Sequence, residues 1–313
     1  MIVTVTLNPS VDRTVEVDEL RRGEVLRASS SRVDPGGKGI NVARALARHG
    51  IETKAVVALG GAEGDHLAAL LDRAGIDVTP VRIEKAIRSN ITVVEPDGTT
   101  TKLNEPGAVL TAGELRRIVD AAVAASAGAD WLVASGSLPP GTAPSVYADL
   151  VERLAGTGTR VAIDTSGTAL AASLPARPSL VKPNHDELAA CAGRHLLTLG
   201  DVVEACHALR ERGAGAVLAS LGPVGAVLVD GADARLAYAP DTVPVSSVGA
   251  GDALLAGFLA AGGEGTDALI QAVAWGTAAV TLPGSRMPGP ADIQPDDVLL
   301  APTIPSDLPL TQA

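Results

Sequence analysis

The sequence predicts an α/β fold with a mostly parallel central sheet, helices on both of its faces, and a small additional β-sheet. Apolar, β-branched runs alternate with helical patterns along most of the 313 residues, and this alternation is typical of parallel sheets. Two polar stretches, at about 13–33 and 86–104, interrupt it. Because 46% of the residues are hydrophobic, the chain can build one large α/β domain or two smaller ones. We expect a single domain over 1–300, followed by a Pro-rich, poorly ordered tail over 301–313.

The main elements follow from hydrophobic pattern and helix-end residues. Buried strands are predicted for the apolar runs at 2–7, 54–59, 131–135, 160–164 and 215–220. Helices are predicted at 39–49, closed by Gly50, and at 65–74, closed by Gly75. A third helix is expected to begin with a capping box formed by Thr111 and Glu114.

The two polar stretches are rich in Thr, Ser, Val and Arg, and "PDG" at 96–98 is typical of a hairpin turn. We therefore expect a half-exposed sheet inserted into the α/β body. Such a sheet could cover a crevice as a lid or pair with its twin in a homodimer.

Composition excludes several classes of partner and site. A formal net charge of −11 disfavours nucleic acid or an anionic membrane as partner, so an anionic substrate would need a local cluster of cations. The two cysteines, Cys191 and Cys206, lack the paired spacing of a disulfide framework or a zinc site. The first residues have no signal-peptide pattern and no run reaches the length of a membrane span, so we expect a soluble, cytoplasmic protein.

The segment "SSVGAGDALLAG" at 246–257 is the strongest candidate for chemistry. Gly249, Ala250 and Gly251 lead into a helix, so their N–H groups can face an anion. Asp252 follows at once. One interpretation is an ordinary acidic residue in a first helical turn; the other is a general base beside a transferred phosphoryl group. The P-loop and dinucleotide-binding glycine patterns are absent from the sequence.

A family resemblance favours the second interpretation. Together with "DPGGKGINVARALARHG" at 34–50, this segment resembles the two signatures of the ribokinase-like sugar kinases, in their phosphofructokinase B branch. Further similar motifs are "TLNPSVDRT", "TKLNEPG", "SGSLPPG", "VKPNHDEL" and "SLGPVGAVLV". Several of them are most similar to the bacterial 1-phosphofructokinase branch. The resemblance implies a ribokinase-like fold and phosphorylation of a ketohexose phosphate by ATP with Mg²⁺, converting D-fructose 1-phosphate to the 1,6-bisphosphate.

Two alternatives remain open at this stage. One is a tagatose-6-phosphate kinase or 6-phosphofructokinase of the same family, and the other is a sugar-phosphate sensor that has lost catalysis. Ser246 and Ser247 stand where family members often carry an Asp-Thr pair, a departure shared with the 1-phosphofructokinase branch.

The resemblance also assigns roles on the sugar side. Asp252 is the catalytic base, and the backbone of Gly249, Ala250 and Gly251 is the anion hole. The sugar and its phosphate are expected to bind to the residues that the sugar-side motifs carry: Asp12, Gly37, Lys38, Asn41, Arg88, Lys102, Asn104 and Ser137, with Arg27 in a lid strand reaching a neighbouring subunit. The ordinary interpretations are a turn for Asp12, a first-turn helix residue for Asn41, and solvated surface charges for the cations.

On the nucleotide side, the motifs assign Lys182 and Asn184 to the phosphates. The nucleotide is expected to lie against Gly249, Gly251 and the loop that follows a predicted strand. The residues of that loop are Ser220, Leu221, Gly222 and Gly225. Asn184 and Glu187 lie three residues apart, on one face of a helix, and are expected near Mg²⁺ through water.

Overall fold

A computed structural model describes residues 1–240 and 242–310. Its central sheet has ten strands in the order β14-β13-β12-β11-β10-β9-β8-β1-β4-β5, and a four-stranded sheet has the order β3-β2-β6-β7. In chain order the strands are β1 (Ile2–Thr6), β2 (Ser10–Glu16), β3 (Ser30–Gly36), β4 (Thr53–Leu59), β5 (Asp77–Arg82), β6 (Arg88–Val94), β7 (Thr100–Leu103), β8 (Trp131–Ser135), β9 (Arg160–Asp164), β10 (Leu180–Val181), β11 (Ala216–Ser220), β12 (Ala226–Val229), β13 (Ala234–Tyr238) and β14 (Leu299–Leu300).

Helices cover both faces of the central sheet. They are α1 (Lys38–Arg48), α2 (Gly61–Arg73), α3 (Ala112–Ala125), α4 (Val146–Leu154), α5 (Gly167–Ser173), α6 (His185–Ala192), α7 (Leu199–Glu211), α8 (Ala250–Ala260) and α9 (Gly265–Val280). The predicted capping box is confirmed, because the Thr111 side chain accepts from the Glu114 N–H while the Glu114 carboxylate accepts from the Thr111 N–H. None of the helices in the described ranges is long and apolar enough to cross a lipid bilayer.

The prediction of a mostly parallel sheet is confirmed. Strands β5, β4, β1, β8, β9, β10 and β11 all run parallel to one another. Their buried, β-branched residues explain why both faces need helices. The edge strands β12, β13 and β14 pair antiparallel. The carboxyl ends of the parallel strands therefore meet at one edge of the sheet, where ligands bind in open α/β folds.

The small sheet, which we call the lid, combines β2 and β3 with β6 and β7. Strands β2 and β6 pair in parallel, and the outer strands are antiparallel to them. The predicted "PDG" turn closes the β6–β7 hairpin, with the Glu95 N–H bonded to the Thr99 carbonyl. The register places Asp12, Asn90 and Thr92 on one face, and it pairs Thr92 with Lys102.

Three local expectations differ from the structure. Helix α2 begins at Gly61, not at residue 65, and its first turn is closed by a hydrogen bond from the Gly64 N–H to the Gly60 carbonyl. Arg27 lies in the exposed connection between β2 and β3 and not in a lid strand. The third is the tail, which was expected to be poorly ordered. Over 301–310 it is hydrogen-bonded to the start of α7, where Leu199 N–H donates to Leu308. Residues 311–313 lie outside the described residues.

Candidate active site

The start of α8 builds the anion-facing part of the site. Gly249 precedes the helix with φ 80°, in the left-handed region that suits glycine. The carbonyl of Gly249 accepts from the N–H groups of Asp252 and Ala253 at 3.1 and 2.9 Å. Within the described part of the chain, the N–H groups of Gly249 and Gly251 find no acceptor. They are therefore available to a bound anion, as the sequence predicts.

Asp252 is buried at this helix start, with 6% of its surface exposed. Its Oδ2 accepts a hydrogen bond of 2.8 Å from Nδ2 of Asn41, which belongs to α1. Helix α1 comes close enough because Gly39 lies against β1 and β8, where a Cβ atom would be 2.5 Å from Oγ1 of Thr6. Gly37 is equally constrained, since it has φ 124°. The glycines at 37 and 39 thus bring the Asn41 amide to the carboxylate.

A second buried carboxylate, Asp164 at the end of β9, binds two lysines. Nζ of Lys38 donates to Oδ1 of Asp164 at 2.7 Å and to Oε1 of Glu187 at 3.3 Å. Nζ of Lys182 lies 3.3 Å from Oδ2 of Asp164, as an ion pair without hydrogen-bond geometry. Asp164 is fully buried and Lys182 nearly so. Sequence reasoning did not identify Asp164 because a single acidic residue ending a strand gives no signal until the lysines are placed beside it.

These charges set the protonation behaviour of the site. Burial, together with the neighbouring Asp164 carboxylate, raises the pKa of Asp252 to about 6, although Lys38, Lys182 and the Asn41 hydrogen bond oppose the shift. Burial alone would raise the pKa of Asp164, but Lys182 and Lys38 outweigh it and hold that pKa below its usual value. Burial acts to lower the pKa of Lys38, yet Asp164, Glu187 and Asp252 together raise it. Asp252 is thus a carboxylate that can exchange a proton near neutral pH.

The sugar-side residues cluster where the lid meets the central sheet. Oδ1 of Asp12 accepts from Oγ of Ser10 at 2.6 Å and from Nδ2 of Asn90 at 2.9 Å. Ser10 and Asn90 were not among the predicted site residues, although Ser10 falls within one of the similar motifs. Asp12 is therefore held by two donors from the lid strands, and it is not merely a turn residue.

Arg88 and Ser137 come together through Asn8. Nη2 of Arg88 donates to the Asn8 carbonyl at 3.1 Å and Nη1 donates to the Glu105 carbonyl at 3.2 Å. The Asn8 side chain donates to Oγ of Ser137 at 3.2 Å. Among the residues that the structure describes, Arg88 has no carboxylate partner and its buried Nε has no acceptor. Its charge is therefore uncompensated by an ion pair, which is what an anion-binding arginine requires.

The remaining predicted sugar-side residues are exposed. Lys102 lies on β7, Asn104 follows that strand, and Arg27 lies in the β2–β3 connection. The register places Lys102 on the Asp12 face of the lid. The structure does not bring Arg27 or Asn104 into contact with the buried cluster, and their roles stay predictions.

The nucleotide-side residues meet at the carboxyl ends of β10 and β11. Asn184 caps α6, its Oδ1 accepting from the Glu187 N–H at 2.8 Å, while Oε2 of Glu187 accepts from the Asn184 N–H at 2.9 Å. Asn184 also forms a parallel bridge with Ser220. Leu221, Gly222 and Gly225 form the turn between β11 and β12, closed by a hydrogen bond from the Leu221 N–H to the Gly225 carbonyl. A Cβ atom on Gly251 would lie 3.4 Å from Nζ of Lys182, so the α8 start borders the same space as Lys182.

The α/β fold and the buried carboxylate at an anion-facing helix start define a phosphotransferase. Residues 5–292 match the model of the pfkB family of carbohydrate kinases, and the chain belongs to that family.

Individual relatives are similar over most of the chain. A 1-phosphofructokinase of Rhodobacter capsulatus is 43% identical over 85% of this chain and 85% of that protein. An ATP-dependent 6-phosphofructokinase isozyme 2 of Mycobacterium tuberculosis is 38% identical over 95% of this chain and 87% of that protein. The crystal structure of phosphofructokinase-2 from Escherichia coli in complex with potassium has a TM-score of 0.88 at 36% identity, covering 93% of this chain and 96% of that one. The predicted ribokinase-like fold is confirmed.

Replacing Asp252 with Asn is expected to stabilise the protein at about pH 8. Its pKa is about 6 in the folded protein and roughly 3.9 when unfolded, so above about pH 6 the buried carboxylate costs at most about 3 kcal/mol of folding free energy. As the pH falls towards about 4, the folded protein takes up the proton first and the cost disappears. Urea unfolding should therefore show a stabilised variant at about pH 8 and a smaller difference at about pH 5.

Asp164→Asn is the contrasting variant. It leaves the buried Lys182 without its carboxylate, so it should destabilise the protein by about 3 kcal/mol at neutral pH. If Asp252→Asn were also less stable than the wild-type protein at about pH 8, the assignment of a destabilising buried carboxylate at Asp252 would be wrong.

Proposed function

We propose that the protein transfers the γ-phosphoryl group of ATP to O6 of D-fructose 1-phosphate, giving D-fructose 1,6-bisphosphate and ADP. The observation that carries this proposal is the buried Asp252 beside the free N–H groups of Gly249 and Gly251. Membership of the pfkB family supports the sugar acceptor, and the 1-phosphofructokinase of R. capsulatus supports fructose 1-phosphate.

In the proposed reaction, Asp252 accepts the proton of the attacking sugar hydroxyl as its oxygen forms a bond to the γ-phosphorus. The bond between that phosphorus and the β,γ-bridging oxygen of ATP breaks, and ADP leaves with the electron pair. The free N–H groups of Gly249 and Gly251 stabilise the negative charge on the transferred group. Ala250 was predicted for the same role, but its N–H donates to the Ser247 carbonyl at 3.4 Å. A pKa of about 6 for Asp252 leaves it ionised at neutral pH and able to accept that proton.

At the sugar end, Asp12, Gly37 and Asn41 are proposed to contact the ring hydroxyls, with Asp12 held in place by Ser10 and Asn90. Arg88 is proposed to hold the 1-phosphate, because it is partly buried where the lid meets the central sheet and has no carboxylate partner in the described ranges. Three further residues would contact the 1-phosphate at the edge of this site: Ser137, Asn104 and Lys102. Lys38 was predicted for the same phosphate, yet its ion pairs with Asp164 and Glu187 place its charge nearer to Asp252.

At the nucleotide end, Lys182, Asn184 and the 220–225 turn are proposed to hold ATP. The described residues contain no cluster of three metal-ligating side chains, which fits Mg²⁺, an ion that keeps most of its waters and binds substrate phosphates. Glu187 and Asn184 offer the hard oxygen atoms that such an ion prefers and would hold it through water. When bound, Mg²⁺ would neutralise charge on the ATP phosphates.

We further propose a homodimer formed through the lid. Strands β3 and β7 are the edges of the lid sheet, and the cross-strand pair Ile91 and Leu103 exposes 39% and 58% of its surface. Burial of such apolar residues and pairing of open edges both favour association of two lids. Arg27, on the exposed connection of the lid, would then lie where a neighbouring subunit can be reached.

The choice of acceptor is one test of this proposal. A ketofuranose is nearly two-fold symmetric, so a phosphate site at one end and Asp252 at the other could accept fructose 1-phosphate at O6 or a 6-phosphate at O1. Discrimination must come from groups such as Asp12 and Asn41 that contact the ring hydroxyls. We expect kcat/KM for fructose 1-phosphate to exceed the values for fructose 6-phosphate and tagatose 6-phosphate by about tenfold or more, measured by ADP release.

The reverse preference would identify a 6-phosphate kinase, as the M. tuberculosis relative is named. It would contradict the proposed acceptor while leaving the phosphotransferase assignment intact.

Arg88 provides a further test of the proposed sugar-phosphate site. Arg88→Ala should weaken binding of the sugar phosphate by about 1.5 to 3 kcal/mol, because a charge-assisted hydrogen bond is lost, and leave ATP binding nearly unchanged. Calorimetry with each ligand measures both affinities. Arg82→Ala, which removes an exposed arginine paired with Asp65, is the control and should change neither. Equal losses of affinity for the sugar phosphate and for ATP would contradict the proposal that Arg88 binds the sugar phosphate.

A further inference from the structure

Arg44 lies on α1, one turn after Asn41, and is half-buried beside the lid. Its Nη1 donates to Oδ1 of Asn41 at 3.1 Å and contacts the carbonyl of Pro35, at the end of β3, at 3.4 Å. The other end of the same amide, Nδ2, donates to Oδ2 of Asp252 at 2.8 Å. Arg44, Asn41 and Asp252 therefore form one continuous hydrogen-bonded chain, in which Asn41 is the central link.

An asparagine amide presents donors at one end and an acceptor at the other, so it can turn either end towards a carboxyl group. An ionised Asp252 accepts from the nitrogen, whereas a protonated Asp252 could instead donate to the amide oxygen. A guanidinium group has donors only. Because Arg44 occupies Oδ1 of Asn41, turning the amide over would bring its NH₂ group against the guanidinium and lose both hydrogen bonds.

We infer that Arg44 is a positioning residue that holds the Asn41 amide as a donor to Oδ2 of Asp252 and so reserves Oδ1 of Asp252 for the proton of the substrate hydroxyl. This inference rests on the proposed function, in which Asp252 accepts that proton. Oδ1 of Asp252 accepts no hydrogen bond from the residues that the structure describes. Arg44 touches neither reacting group and acts through Asn41.

Charged groups from several elements surround this chain. Those facing Asp252 are Asp164 from β9, Lys38 from α1 and Lys182 after β10. Those facing Arg44 are Asp12 from β2, Asp34 and Arg32 from β3, and Arg48 from α1. The Asn41 hydrogen bond is one of the contributions that lower the pKa of Asp252. Without a fixed donor at Oδ2, that pKa should rise further.

The test is the pH dependence of kcat at saturating substrates. Arg44→Met should move the low-pH limb of the kcat profile, where Asp252 becomes protonated, to higher pH by about one unit. A shift of that size in the pKa of Asp252 matches the loss of one hydrogen bond to a charged group. Arg44→Lys keeps a charge but not the guanidinium nitrogen Nη1 that reaches both Oδ1 of Asn41 and the Pro35 carbonyl. It should give a smaller shift in the same direction and serves if the Met variant does not fold. Arg48→Met removes an exposed guanidinium one turn further along α1 and should leave the limb unchanged.

A second readout separates this inference from the proposed function. The ¹³C titration of the Asp252 carboxyl group, assigned by its absence in Asp252→Asn, follows the same shift without turnover. If the wild-type protein phosphorylates none of the ketohexose phosphates, the proposed function fails and the titration still tests Arg44. An unchanged titration in a folded Arg44 variant would overturn the inference. So would an equal shift in Arg48→Met, or a further shift when Arg44→Met is added to Asn41→Leu, because either would mean that Arg44 acts by charge alone.

Discussion

The site depends on the burial of two carboxylates, Asp164 and Asp252, beside two lysines. Asp164 is fully buried and is ionised only because Lys38 and Lys182 lie within 2.7 and 3.3 Å of it. Buried ion pairs of this kind repay their desolvation only when the partners are correctly placed. The fold must therefore hold the ends of β9 and β10 and the start of α1 in a fixed arrangement, whatever each contributes to stability.

Asp252 has no directly paired lysine among the described residues, because both lysines pair with Asp164. The lysines are closer to Asp164, so Asp252 has burial and a like charge raising its pKa, with the Asn41 hydrogen bond as its direct compensation. This contrast gives one carboxylate that stays ionised and one that exchanges a proton near neutral pH, a separation typical of catalytic pairs. The amide of Asn41, which accepts from Arg44, connects Asp252 through Arg44 to Pro35 at the end of the lid strand β3. In the proposed function, stability and reactivity thus have their origin in the same few contacts.

The sequence predicts much of this arrangement because the signals are local. The strand pattern, the Thr111 capping box and the glycines before Asp252 each depend on neighbours within a few residues, and the structure confirms them. Arg44 was not identified although its partners Asn41 and Pro35 are near in sequence, because the link from Asn41 to Asp252 spans 211 positions. Asp164 and Asn8 were not identified, since each acquires its role from residues far along the chain: 126 positions separate Lys38 from Asp164. The hydrogen bonds of residues 301–310 to the start of α7 were missed for the same reason, because a Pro-rich composition by itself favours disorder.

The most direct measurement of the central claim is kcat for Asp252→Asn at saturating ATP and sugar phosphate. An amide of the same shape cannot accept the hydroxyl proton, so kcat should fall by a factor on the order of 10² to 10⁴ while KM changes little. Near-normal turnover in a folded Asp252→Asn protein would contradict the account, because it would show that the buried carboxylate takes no part in the transfer.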